Sequence, residues 1–328
     1  MKIITFFNNK GGVGKTTTAY HTAWMLSELG IRCLAVDLDP QSNLTTTFLS
    51  EGRQEEVYQS DAAEHTYTIL NAIEPVIAGE SPVPVHIEEI TDNLGLILGD
   101  LSLSTYEDKF SDAWLKCLDG DVYAFRIMSL FQSIICEAAA RFEAEYVLID
   151  VGPNFGAINR AVLLGSDIMV IPVTCDLYSL QGMKNIGMSL NTWKNQWRMR
   201  LSQKPEKAKF AIPRGEVRPI GYIVMQYSAK ESRPVKAYLR WANRIPQVFR
   251  QYVLSDEADK PDLSIEKDPY CIALLKHYRS LAPMSMEAHK PIFLLKPADG
   301  AIGAHLYAVK KSYEEFQSLT ESILRHCQ

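Results

Sequence analysis

The chain reads as an α/β protein built on a doubly wound, mostly parallel sheet flanked by helices. Three observations lead there. Short apolar runs alternate with helix-length stretches along most of the sequence, the order that a parallel sheet with crossover helices produces. Most of these runs are continuously apolar rather than alternating, as strands covered on both faces are. A glycine-rich segment, Lys10-Gly11-Gly12-Val13-Gly14-Lys15-Thr16-Thr17, joins the first apolar run to the first helical stretch. That is the strand–loop–helix setting of a phosphate-binding loop.

Taken in order, Ile3 to Phe7 is a short buried strand, and a helix follows the loop from about Thr16 to Leu29. Gly30 ends it, because glycine tolerates the left-handed conformation of a helix stop. Arg32 to Asp37 is the second strand, Asn93 to Leu98 the third, and Tyr146 to Asp150 the fourth. Asp167 to Val173 and Ile220 to Gln226 follow, with Pro291 to Leu295 as a further candidate strand. Helical stretches lie between them at Ala124 to Phe142, Leu180 to Trp197, Val235 to Asn243 and Ala308 to Leu324. Residues 51–66 and 202–218 are polar and carry Pro or Gly, so they read as loops or insertions in one domain spanning 1–328.

The composition of the 328 residues, 47% hydrophobic and 22% charged, is that of a globular protein and excludes a disordered or collagenous chain. No apolar run reaches the roughly 18 residues of a membrane span. Met1 to Phe7 is too short and polar-flanked for a signal peptide. The six cysteines lie far apart, with no C-x-x-C pair; this argues against a disulfide framework or zinc ribbon and for a reduced, cytoplasmic protein. The net charge of −5 hides an asymmetry: Lys194 to Arg250 holds 14 Lys and Arg against 3 Glu, a net of +11, and the remainder is −16.

The glycine loop carries the chemistry. Glycines let several backbone N–H groups face one anion, and the helix start adds partial positive charge. Lys15 would reach the β- and γ-phosphates, the Thr16 hydroxyl would ligate Mg²⁺, and Thr17 would sit near the α-phosphate. Asp37 and Asp39 lie at the C-terminal edge of a strand, where open α/β sheets hold ligands. Two carboxylates beside a phosphate loop are read as groups that organise Mg²⁺ and water. Asp150 ends another apolar strand and completes the candidate metal set of Thr16, Asp37, Asp39 and Asp150.

The loop departs from the ordinary G-x-x-x-x-G-K-T pattern, because Asn9 takes the first glycine position and Lys10 follows it. Asn8 to Thr17 resembles the deviant Walker A motif of the ParA/MinD (SIMIBI-class) ATPases. Val36-Asp37-Leu38-Asp39-Pro40-Gln41-Ser42-Asn43 resembles the second motif of that family. Tyr146 to Asp150, followed by Gly152-Pro153-Asn154-Phe155-Gly156, resembles its Walker B segment, with Gly152 where the family has proline. Ser166 through Gly182, and Leu281-Ala282-Pro283 to Ile292, are similar to later segments of the ParA partition ATPases.

The resemblance implies ATP and Mg²⁺ as cofactors, with Lys10, Gly11, Gly12, Val13, Gly14, Lys15, Thr16 and Thr17 binding nucleotide. It implies Lys10, Lys15 and Asp39 as the catalytic groups: Asp39 positions the attacking water, and Lys10 crosses to the phosphates of a second subunit. Asp37 supports the metal shell, and Asp150 holds the Mg²⁺ hydration shell. The implied partners are a second copy in an ATP-dependent homodimer, non-specific DNA, and a ParB-like or other activating protein. The implied location is the nucleoid. Gln226 and Tyr227 are candidates for the adenine side.

Competing readings are weaker. A MinD-like ATPase would anchor to membrane through a C-terminal amphipathic helix. Leu306, Val309, Tyr313, Phe316, Leu319 and Ile323 do have helical spacing, but Glu314, Glu315 and Glu321 offset Lys310, Lys311 and Arg325. A membrane-surface helix is net basic, so this one is expected to pack on the sheet, with no membrane partner. An iron–sulfur carrier of the same superfamily would want a C-x-x-C pair; Cys117, Cys136 and Cys175 read instead as small buried hydrophobes. An ATP-dead module is disfavoured by the full set of motif residues. The chain starts at its first strand, so no operator-binding module is expected ahead of it. The DNA face is placed on the helical stretch after Pro234. At about 100° per residue, Arg233, Lys236, Arg240 and Arg244 fall within about 80° of arc, opposite Val235, Tyr238, Leu239 and Ala242.

Overall fold

The structure, a computed structural model, describes residues 1–59, 67–227, 239–256 and 264–327. The first apolar run lies in the interior of an eight-stranded sheet. The strands are β1 (Lys2–Phe6), β2 (Cys33–Leu38), β3 (Glu88–Thr91), β4 (Leu94–Ile97), β5 (Tyr146–Val151), β6 (Ile168–Val173), β7 (Arg218–Val224) and β8 (Cys271–Leu274). Their order is β3-β4-β2-β5-β1-β6-β7-β8, and every pair is parallel except β3–β4.

The continuous apolar runs have a direct explanation. In β2, Leu34, Val36 and Leu38 enter one core while Cys33 and Ala35 enter the other. Successive side chains point to opposite faces of a strand, so a strand buried on both sides must be apolar throughout. β5 and β6 divide their residues in the same way. One core is shared with Val122–Met128, Leu130–Arg141, Ala157–Leu164 and the long helix Leu177–Leu201; the other with the P-loop helix Lys15–Glu28 and the C-terminal helix Ala304–Cys327.

Several expectations need correction. The single helix expected over Ala124 to Phe142 is two helices, Val122–Met128 and Leu130–Arg141, bent by 55°. The break is at Ser129, whose hydroxyl bonds back to the Phe125 carbonyl at 2.7 Å, a local bond that competes with regular helix geometry. Pro291 to Leu295 is no strand but a 3-10 turn at Ile292–Leu294; its proline has no N–H to give a ladder, and the Ile292 amide donates to His21 instead. Residues 51–59 are helical rather than loop, and 202–217 hold no regular element. The edge strands β3 and β8 were not anticipated. Of the stretch from Val235 to Asn243, residues 235–238 lie outside the described residues and 239–242 are helical.

The C-terminal helix packs on the sheet as expected, with Val309, Phe316, Leu319 and Ile323 buried. Among the described residues, no single helix is long and apolar enough to cross a membrane. The topology fixes where the site must lie. β1 sits between β5 and β6, and the chain moves to opposite sides of the sheet from there. That crevice, at the C-terminal ends of the strands, is where open α/β sheets bind ligands. Phe6 is paired with Asp150, and Asp150 with Asp37, so the glycine loop and two carboxylates emerge side by side.

Candidate nucleotide site

The loop is shaped by glycine and anchored by Asn8. Gly12 and Gly14 have φ of 70° and 83°, and at Gly14 a Cβ would come within 2.5 Å of the Met225 side chain. Asn8 is buried; its amide donates to the Pro172 carbonyl at 2.7 Å, and its oxygen accepts the Lys10 N–H at 3.0 Å. The loop is thereby tied to β6 before it turns into the helix. Met225 precedes Gln226 and Tyr227, the candidates for the adenine side, and its side chain lies beside the loop. Gln226 is exposed with φ of 58°, and the Tyr227 hydroxyl donates to Glu266 at 2.7 Å.

Lys15, Thr16, Thr17, Asp39 and Pro153 line one cavity of about 430 Å³. Burial pushes the Lys15 ammonium down, and the carboxylates of Asp150 and Asp39 act in the opposite direction. The Thr16 hydroxyl donates to Asp150 Oδ2 at 2.6 Å. Asp150 Oδ1 is buried without a hydrogen-bond partner, which is the condition of a carboxylate that expects a cation or its water. Burial raises the Asp150 carboxyl to about 8, and neighbouring Asp37 pushes the same way. Among the described residues, no three His, Cys, Asp or Glu side chains converge to hold a metal by themselves. This fits Mg²⁺, which is commonly held by one or two carboxylates together with phosphates and water. Thr16 and Asp150 are the pair suited to hold it.

Asp37 and Asp39 divide the work unequally. Asp37 is fully buried, and its Oδ2 accepts the Thr45 amide at 2.8 Å and hydroxyl at 2.7 Å. Its Oδ1 accepts the Asp39 amide at 3.2 Å. Burial moves its carboxyl up to about 7 against these bonds. Asp37 therefore bears on the site at one remove, by fixing the turn that carries Asp39. Asp39 lines the cavity, accepts the Gln41 amide at 3.0 Å, and has Gly152 alongside, where a Cβ would stand 3.4 Å from its Oδ1.

Lys10 turns away from its own loop. Its ammonium meets Asp176 Oδ2 at 2.6 Å, Thr174 Oγ1 at 3.2 Å and Ser179 Oγ at 3.3 Å, at the end of β6 and the start of the long helix. Asp176 also caps that helix by accepting the Ser179 amide. Burial alone would raise the Asp176 carboxyl; its bonds to Lys10, Thr174 and the Ser179 amide outweigh this and hold it at about 2.

Some contributors were not anticipated. His21 is buried; its Nδ1 bonds to the Thr17 carbonyl at 2.8 Å, and its Nε2 accepts the Ile292 amide at 3.1 Å. The ring stacks on Phe316, with centroids 4.4 Å apart, and burial lowers its pKa to about 4. Tyr20, His21, Ser285 and Met286 share the cavity wall. Asp176 left one sequence signal, its place three residues before Ser179 at a helix start. The four cations assigned to a DNA face are only partly visible. Arg240 and Arg244 are exposed, with guanidinium carbons 5.5 and 5.2 Å from the Trp241 ring centroid. Arg233 and Lys236 lie outside the described residues.

A family model, AAA_31, described as an AAA domain, matches residues 1–203. The Soj sporulation initiation inhibitor of Bacillus subtilis is 30% identical over 191 residues, 58% of this chain and 64% of that one. The chromosome partitioning protein ParA of Caulobacter vibrioides is 27% identical over 187 residues, 57% of this chain and 61% of that one. The chain belongs to the ParA-like family of P-loop ATPases. The matches to those two relatives stop short of two thirds of their lengths. Solved structures extend the likeness over the whole fold. Protein DIP2308 of Corynebacterium diphtheriae superposes with a TM-score of 0.69 at 25% identity, covering 99% of this chain and 98% of the other. A putative plasmid partition protein of Borrelia burgdorferi bound to AMPPNP gives 0.57 at 18% identity, covering 99% and 98%. This ParA-like chain thus shares the parallel sheet of those structures.

Proposed function

We propose that this ParA-like chain is a slow, partner-stimulated ATPase. It dimerises on Mg²⁺-ATP, binds DNA without sequence preference as the dimer, and hydrolyses ATP to partition or position DNA or another cargo. The observation that supports it best is the pairing of two lysines with different surroundings. Lys15 is buried and lines the cavity under the influence of the Asp39 and Asp150 charges, whereas Lys10 is paired with Asp176 outside that lining. Lys15 and the loop amides bind the β- and γ-phosphates, and Lys10 reaches the phosphates of the facing copy. Asp39 orients the attacking water. Bound Mg²⁺ would neutralise charge that develops on the phosphates, with Thr16 and Asp150 holding its shell. Phosphoryl transfer relies mainly on such positioning and charge neutralisation, so a site completed only in the dimer turns over slowly alone.

DNA binding follows from the basic stretch, with Arg240 and Arg244 as its described cations. Each cation that meets a phosphate contributes a slope of about −0.9 in log K against log salt. Two copies double the contacts, so the dimer binds usefully where the monomer does not. This couples nucleotide state to residence on the nucleoid, and a ParB-like partner would end it by stimulating hydrolysis. The test is DNA binding against salt, with Mg²⁺-ATP, for the parent, Lys10→Ala and Arg240→Glu/Arg244→Glu. Lys10→Ala should bind ATP but neither dimerise nor bind DNA tightly. The double variant should dimerise and show a shallower salt slope. Equal affinity and slope in all three would refute the reading; binding to anionic vesicles in place of DNA would favour a MinD-like role.

A further inference from the structure

The loop after β5 is pinned at its entry, its middle and its exit, and the exit pin comes from a separate element. At the entry, Gly152 lies against Asp39 and Pro40. In the middle, the buried Asn159 amide donates to the Gly152 carbonyl at 2.7 Å, the Asn154 carbonyl at 2.9 Å and Asn154 Oδ1 at 3.1 Å. Phe155 packs edge-on to Phe7 and Trp193, at 5.8 and 6.0 Å between centroids. At the exit, Glu107 accepts the amides of Ala157 and Ile158, the first N–H groups of helix Ala157–Leu164. These amides have no partner inside their own helix, and a carboxylate suits the positive end of the helix dipole. A Cβ at Gly156 would collide with the Glu107 carboxylate, so the loop passes directly over it.

Glu107 is itself firmly backed. It begins helix Glu107–Lys116, whose Trp114 lies under the guanidiniums of Arg160 and Arg200 at 4.2 and 3.8 Å. Trp114 also stacks on Trp197 of the long helix, at 5.7 Å. Arg160 belongs to the helix that Glu107 caps, so the two helices are joined at both the cap and the ring.

We propose that Glu107 is a positioning residue for hydrolysis: by fixing the exit of the loop 152–156, it holds Gly152 and Pro153 against Asp39 and the nucleotide cavity. Glu107 is not among the residues lining the cavity, and its effect passes through the loop. The proposal rests on the hydrolysis reading above, so its test includes a measurement that needs no turnover.

The full chain would be compared with Glu107→Ala and Glu107→Gln by calorimetry with Mg²⁺-ADP, by ATPase rate, and by hydrogen exchange in the ADP-bound state. Glu107→Ala should bind ADP within about twofold of the parent and lose about tenfold in kcat, within the range that small misplacements of catalytic groups produce. Exchange should rise about tenfold across residues 152–160 and stay at the parent rate in β1 and the P-loop helix. Glu107→Gln keeps one acceptor oxygen in place and should recover most of both effects. Should Glu107→Ala not fold, Glu107→Asp withdraws the carboxylate by one methylene and gives the same readouts. Unchanged exchange across 152–160, or ADP affinity that falls in step with kcat, would overturn the proposal. A parent chain without ATPase activity would refute the hydrolysis reading instead, and the exchange data would still decide whether Glu107 holds the loop.

Discussion

Asp176→Asn should tighten the ATP-bound dimer. In the single chain, Lys10 is engaged by Asp176, Thr174 and Ser179, and on the proposed reading it must leave them to reach a second copy. The substitution keeps the shape and the helix cap, since asparagine caps as well as aspartate, and removes the charge. The side chains of the pair are 33% and 37% exposed, so solvent screens it and the appropriate figure is that of a surface pair, at most about 1 kcal/mol. A dimer releases two such lysines, hence at most about 2 kcal/mol, or a dissociation constant lower by up to roughly thirtyfold. The Asp176 carboxyl is depressed to about 2, so the pair is complete above the usual carboxylate range near 4 and lost as pH falls towards 2. The gain should therefore be constant through neutral pH. It should shrink as salt weakens the parent's own pair. Sedimentation velocity over a protein dilution series with Mg²⁺-ATP measures it. A dimer of equal or weaker affinity in Asp176→Asn would show that the contact does not compete with assembly.

Three further outcomes follow from the geometry. Lys15→Ala should abolish ATP and ADP binding in calorimetry, because among the described residues no other lysine lines the cavity; unchanged affinity would sink the phosphate-loop assignment. Asp39→Ala should dimerise on ATP and persist as a dimer, with hydrolysis at least about tenfold slower, since ordering the water is part of the catalysis; a parent-like rate in a phosphate-release assay would remove its role. Arg250→Met should destabilise the fold by about 3–5 kcal/mol in urea titration, because it leaves the fully buried Asp268 carboxylate without its cation. A loss below about 1 kcal/mol would mean that the Tyr222 hydroxyl, 2.5 Å from Asp268, and the Tyr270 amide, 3.4 Å from it, satisfy that carboxylate without Arg250.

The interior of this fold was legible because it is written in local pattern. β1, β2, β5 and β6 are buried on both faces, and their unbroken apolar runs report that directly. The edges carried no such signal. β3 is Glu88-Glu89-Ile90-Thr91, half-solvated and antiparallel, and β8 is only four residues long. In the site, Lys15, Thr16 and Asp150 stood out by their motifs; the Thr16 hydroxyl bonds Asp150, and the Asp150 charge acts on Lys15. The contact of Asp176 was hidden because tertiary packing chooses its partner: it stands 166 residues from Lys10. Ser129 looked like one more helical residue until its hydroxyl was seen bonding back to Phe125.

His21 makes one wall of the site depend on distant sequence. It sits in the first turns of the P-loop helix, yet its ring bonds to Ile292, 271 residues further along, and stacks on Phe316. Both ring nitrogens are engaged, so the imidazole is fixed in one tautomer that donates to Thr17 and accepts from Ile292. The backing of the phosphate loop is therefore borrowed from a remote part of the chain. A substitution at Ile292 or Phe316 would disturb the wall behind Thr17 while leaving every motif residue as it was.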